Sequence, residues 1–197
     1  MKIKKILAVV AIAGLAALGT TGAAYAPKHD EPEVSGPIDL DTFEGPLTIE
    51  LDGQLVEINV EYGQAEETVA ALRAGETSAV QSARSGSVVA PLAVCVETWK
   101  NAIAGPGTYW TSANGCSIWG SVGFKKGYDV YNASDVNICS QGKGFNSAGT
   151  QGWYGFGCLG SGSTGGGTVA WGNVAANSQV RAQSGSLVTG AAYQWRG

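Results

Sequence analysis

The chain has one histidine, His29, in 197 residues. A Ser-His-Asp or Cys-His arrangement in the later part of the chain would therefore lack its base. Zinc hydrolases that need histidine ligands are excluded for the same reason. There is no C-x-x-C pair: Cys95, Cys116, Cys139 and Cys158 stand about twenty residues apart, which disfavours a four-thiolate zinc site. Acidic residues nearly vanish after residue 90, where only Glu97, Asp129 and Asp135 remain. Any carboxylate pair for general acid–base work reduces to Asp129 and Asp135. They lie six apart within the turn-like stretch YDVYNASD, where Asp and Asn ordinarily serve as caps. GKGFNSAG, residues 142–149, lacks the GK[ST] ending of a phosphate loop. No spaced run of oxygen ligands suggests a calcium loop. No cofactor is expected. Past the N-terminus, no apolar run reaches the length of a membrane span.

The N-terminus itself, MKIKKILAVVAIAGLAALGTTGAAYA, sets three lysines before a long apolar run that ends in small residues. This is the pattern of a secretory signal peptide over residues 1–26, with a retained anchor as the alternative. The expected location is secreted or cell-surface, in a bacterial style of export. An exported chain with four cysteines is expected to form two disulfides, for which three pairings remain open.

Charge divides what remains. Residues 27–90 carry thirteen acidic residues against Lys28, Arg73 and Arg84, about −10. Residues 91–197 come to about +3. The composition breaks near GETSAVQSARSGSVVAPLAV, residues 75–94, a small-residue stretch that reads as a linker. One reading is an acidic leader or propeptide over 27–90 that shields a basic domain over 91–197. The other is two ordinary domains, or one with an uneven surface.

The acidic region contains LTIELDGQLVEINV. Asp52–Gly53 is a strong two-residue hairpin turn. A hairpin over 47–60 would pair Leu51 with Gln54, Ile49 with Val56 and Leu47 with Ile58. Leu47, Ile49, Leu51, Val56, Ile58 and Val60 would then share one face. A short helix over 64–74 should follow, with Glu66 and Glu67 at its start, Arg73 at its end and Gly75 as its stop. Such a unit is marginal alone and should pack on a neighbour.

After residue 105 the chain holds short strand-like runs at 107–112, 116–124, 128–132, 136–139, 153–159, 168–174, 178–183 and 191–196. Gly, Asn and Ser punctuate them. The fold class is mainly β, a small disulfide-stabilised antiparallel sandwich or barrel preceded by the acidic hairpin and helix. A short helix over 95–105 is also expected. Within the glycine-rich stretch 149–172, residues 160–167 (GSGSTGGG) read as a mobile loop between real strands.

Aromatics are the chemical resource of residues 91–197, which hold all six tryptophans. Trp119 and Phe124, at odd spacing, should lie on opposite faces. Exposed rings beside Gly, Asn, Gln and Ser suit a recognition surface. Trp153, Tyr154, Phe156, Trp171, Tyr128 and Tyr131 are the candidate binding rings. Lys125, Lys126 and Lys143 form a candidate positive rim. The expected function is non-catalytic binding of an extracellular protein or a cell-envelope glycan; no nucleic acid partner is expected. The alternatives are an antibacterial or toxin-like protein masked by its acidic leader, and a glycan hydrolase using Asp129 or Asp135. The format resembles that of some secreted inhibitors, bacteriocins and cell-surface binding modules.

Overall fold

A computed structural model describes residues 32–51, 54–75 and 95–197. The signal-peptide pattern, His29, the Asp52–Gly53 turn and all but the first residue of the linker-like stretch 75–94 lie outside the described residues. The described residues belong to one compact unit.

Strands β1 (Gly45–Leu51) and β2 (Gln54–Val60) pair antiparallel with Leu51 opposite Gln54, Ile49 opposite Val56 and Leu47 opposite Ile58. This is the register that a two-residue turn and a period-2 apolar pattern demand. Helix α1 (Ala65–Arg73) follows, with Glu66 and Glu67 in its first turn and Arg73 in its last, as the helix dipole favours. Gly75, at φ +73°, ends it in the left-handed conformation that glycine tolerates best. Leu47, Ile49, Ile58, Val60, Ala65 and Val69 form a small core, against which Leu51, Val56 and Leu72 pack.

A 3-10 turn at Cys95–Glu97 opens the second region. The strands that follow are β3 (Lys100–Pro106), β4 (Trp110–Thr111), β5 (Ser117–Trp119), β6 (Lys125–Asn132), β7 (Ile138–Phe145) and β8 (Gln151–Leu159). They continue as β9 (Thr164–Ala170), β10 (Ala175–Asn177), β11 (Val180–Ser184) and β12 (Ala191–Arg196). One sheet runs in the order β8-β7-β11-β3-β12-β6-β9, with β4 added beside β11. Its outer strands β8 and β9 approach each other, so the sheet is a nearly closed barrel. Its pairings are antiparallel except β3 with β11. A second sheet, β10-β5-β1-β2, carries the hairpin beside the barrel through a parallel β1–β5 pair.

Several local expectations give way here: the strand-like runs at 107–112 and 116–124 shrink to Trp110–Thr111 and Ser117–Trp119, and two larger departures follow. Residues 100–106 form a strand instead of the second part of a helix over 95–105. The small apolar residues Ala102 and Ala104 repeat at period 2, and β3 has β12 on one side and β11 on the other. Ladder bonds on both edges outweigh weak local helix preference. Residues 164–167 belong to β9, not to a loop; β9 pairs with β6 over seven positions, from Lys125 with Ala170 to Tyr131 with Thr164. Only the turn after Leu159 connects β8 to β9.

The barrel core gathers Trp171, Trp195, Tyr193, Tyr128, Phe145, Val130, Ile138, Val169 and Val180 among others. Trp119 and Phe124 pack into different cores, Trp119 against the hairpin and Phe124 against the barrel. Two disulfides pin the barrel. Cys95–Cys116 fastens the 3-10 turn to the residue before β5, and Cys139–Cys158 joins directly opposite residues of β7 and β8. Each closes a loop of about twenty residues, a length that stabilises by about 3 kcal/mol in the chain-entropy account.

Candidate functional site

The glycines of 149–172 and of neighbouring β7 make room for the rings of β8. A Cβ on Gly142 would stand 2.4 Å from the Phe156 ring, and one on Gly167 would stand 2.8 Å from it. Gly144 bears the same relation to Tyr154 at 2.9 Å, and Gly165 to Leu159 at 2.6 Å. These separations are far below ordinary carbon contact. Large β8 side chains therefore lie on bare backbone of β7 and β9 and fill the seam that nearly closes the barrel.

A bulge sets this phase. Ser140 pairs with Gly157 and Gln141 with Gly155, which leaves Phe156 as the extra residue of β8. Gly157 takes φ +89° beside it. A bulge re-aims side chains. Phe156 turns toward the core, 5.8 Å from the Tyr128 ring, while Cys158 is exposed and bonded to Cys139.

On the outside of the same strands stands a layered cluster. The Arg181 guanidinium of β11 lies 4.8 Å from the Trp153 ring and 5.0 Å from the Tyr109 ring. Its Nε donates to Gln141 Oε1 at 2.7 Å, which fixes the plane of the guanidinium. Gln141 is directly opposite Arg181 in the β7–β11 ladder. All four residues are half-buried. Stacking of this kind stiffens two aromatic rings at the surface and places amide and guanidinium groups beside them. The Cys139–Cys158 bond lies on the two strands that carry Gln141 and Trp153.

The candidate residues separate into surface and interior. Trp153 joins the layered cluster. Tyr154 and Phe156 are half-buried in the seam. Tyr131 is half-buried and Lys125 exposed on β6. Trp171 and Tyr128 are core residues and present no recognition ring: Trp171 meets Phe145 edge-on at 5.0 Å, and Tyr128 donates its hydroxyl to Lys143 O at 2.9 Å. Lys126 and Lys143 are not a rim either, because both turn inward and are buried. Burial lowers each ammonium to about pKa 8. Lys100 lowers Lys126 further and Asp129 opposes this.

Lys143 is covered by the acidic region. Its Nζ donates to Ser35 O at 2.7 Å and Ser35 Oγ at 3.1 Å. Gln179, also fully buried, accepts from Ser35 N and donates to Glu33 O. Next along the chain, Ile38 N donates to Ala175 O at 2.7 Å. Residues 33–38 thus lie as a strap across the barrel. Elsewhere Glu57 accepts from Cys95 N, and Arg73 donates to Gly120 O while stacking on Trp119 at 5.0 Å.

Asp129 is ion-paired with Arg196 at 2.8 Å, and Asp135 is exposed in the turn before β7. Asn132 opens Asn-Ala-Ser, residues 132–134, which fits a glycosylation acceptor; it is fully buried and donates to Val136 O and Leu159 O, so the fold hides it. Among the described residues no group of three or more His, Cys, Asp or Glu could hold a metal ion. None of the helices there is long and apolar enough to cross a membrane.

Arg181, Tyr109 and Gln141 come together only in three dimensions. Their one trace in sequence is a lone arginine within the strand-like SQVRAQ. No family model, curated protein or solved structure matches this chain.

Proposed function

We propose that the chain is a secreted, non-catalytic binding protein whose Trp153–Arg181–Tyr109 face recognises an extracellular protein or a cell-envelope glycan. The observation that carries this reading is the Arg181 guanidinium lying over both rings and hydrogen-bonded to Gln141. Sugar faces stack on such rings while amide and guanidinium groups meet hydroxyls, and protein partners use Trp, Tyr and Arg as anchors. The rigid strand positions reduce the entropy lost on binding. The test is binding of the secreted full chain to immobilised envelope polysaccharides and to purified envelope proteins. Trp153→Ala should weaken capture about tenfold or more, the scale of one anchor residue. Unchanged capture by Trp153→Ala and Arg181→Ala together would remove this face from the function.

A second reading, an antibacterial or toxin-like protein quieted by an acidic propeptide, draws on the strap. Residues 33–38 cover Lys143 and Gln179, and a cut within 76–94 would break the covalent link between the two regions. Full and cleaved chains, applied to bacterial cells at equal concentration, distinguish the readings: killing by the cleaved form alone favours the second.

A further inference from the structure

A second cavity lies apart from the Trp153 face, at the end of the barrel where β12 finishes and β6 begins. It has a volume of about 460 Å³, within the range of small-ligand sites. Lys126, Tyr128, Asp129 and Arg196 form its polar wall, and Leu55 of the hairpin and Val96 of the 3-10 turn its apolar one. Gly127, Gly167, Thr168 and Gly197 complete it.

Among the side chains that line the cavity, two are cationic, Lys126 and Arg196, and one is anionic, Asp129. Asp129 is committed to Arg196, which reaches one of its oxygens through both Nε and a terminal nitrogen at 2.8 Å. Lys126 is 3% exposed, and among the described residues its ammonium makes one hydrogen bond, to Gly127 O at 2.9 Å. The Tyr128 ring, 5.2 Å away, gives partial relief. An ammonium offers three donors, so two find no acceptor among the described residues. A buried cation with so few partners costs stability. An apolar residue at position 126 would serve the fold better, and such a cost is typical of a position kept for a ligand.

We propose that this cavity is an oxyanion site, in which Lys126 donates its two remaining N–H groups to a carboxylate, phosphate or sulfate group of a small ligand. The ligand's uncharged part would lie against Leu55 and Val96. The site is independent of the Trp153 face, so either can fail without the other.

The test is an amide chemical-shift titration of the full chain with sodium D-glucuronate, inorganic phosphate and sulfate, each against chloride at equal ionic strength. At least one should shift Gly127, Gly167 and Thr168 saturably in the millimolar range. The preference separates a carboxylated sugar from an inorganic oxyanion, and either supports the site. Lys126→Met should weaken that binding at least tenfold while leaving the melting temperature equal or higher. Leu55→Trp, which fills the cavity from the hairpin side, should weaken it too and serves where Lys126→Met does not fold. No saturable shift with any of the three anions, or equal binding by the altered chains, overturns the proposal.

Discussion

The acidic hairpin and the cysteine-bearing barrel both need buried apolar surface, and they obtain it on different scales. The hairpin and helix assemble six buried residues, all aliphatic, with no disulfide. The barrel buries fifteen, including two tryptophans, and carries both disulfides. A fully buried aliphatic side chain contributes about 1.5–3 kcal/mol, most of which ordering the chain consumes. Six such residues leave little surplus. The hairpin therefore leans on the barrel through Trp119, Arg73 and a two-residue parallel ladder, Thr48 with Ile118 and Ile49 with Trp119. Dependence also runs the other way: Lys143 and Gln179 of the barrel side take hydrogen bonds from the strap, and Cys95 N donates to Glu57.

The largest expected effect asks whether the dependence is one-way. Replacing both Cys139 and Cys158 by Ala should cost about 3 kcal/mol. The hairpin should lose amide protection together with the barrel, in a single transition. Hairpin protection that survives barrel unfolding would refute its dependence.

Trp119→Ala tests the converse. Trp119 packs on the hairpin core, and its Nε1 donates to Asn173 Oδ1 at 2.9 Å. Truncation should cost about 2 kcal/mol. Hydrogen exchange should rise through residues 45–73 while β6 and β7 stay protected. Uniform loss across both regions would mean that they fold as one indivisible unit.

A smaller change probes the barrel seam alone. Gly142→Ala places a methyl against Phe156 and should destabilise by about 1–3 kcal/mol. Phe156→Leu in the same chain should recover part of that loss. Denaturant midpoints of the single and double variants measure the recovery.

The last test is a slope with pH. Lys126 and Lys143 titrate near 8 in the folded chain and near 10.5 unfolded. Between pH 8 and 10 the unfolded chain thus binds more protons, and stability should rise with pH. Above pH 10 the buried phenols of Tyr128 and Tyr193, whose ionisation burial opposes, should reverse the slope. Lys143→Met should flatten the rise by about half. An unchanged slope would mean that Lys143 is not held as a buried cation beneath Ser35.

The sequence was most legible where the deciding interactions are local. The Asp52–Gly53 pair and the alternation on either side of it leave one sensible register, and the strands adopt it. The last strand, 191–196, occupies the span its alternation suggests. The glycines of β9 misled because a glycine run has no side-chain pattern of its own. Their role is complementary to Leu159 and Phe156 on another strand. Lys125 and Lys126 posed a similar problem: adjacent strand residues face opposite ways, and nothing local decides which lysine goes in. The interior phase of β6 follows from Tyr128, Val130 and Asn132 meeting the core.

By itself the sequence determined a mainly β chain with an acidic hairpin and helix ahead of a disulfide-bearing region, because turn chemistry, alternation and cysteine count act over short distances. Only the tertiary structure decided which cysteines pair, which rings are buried, that Arg181 meets both Trp153 and Tyr109, and that Lys126 lines a cavity. Those outcomes depend on strand order and on one bulge at Phe156, which bring together residues whose separation along the chain carries no record of their contact.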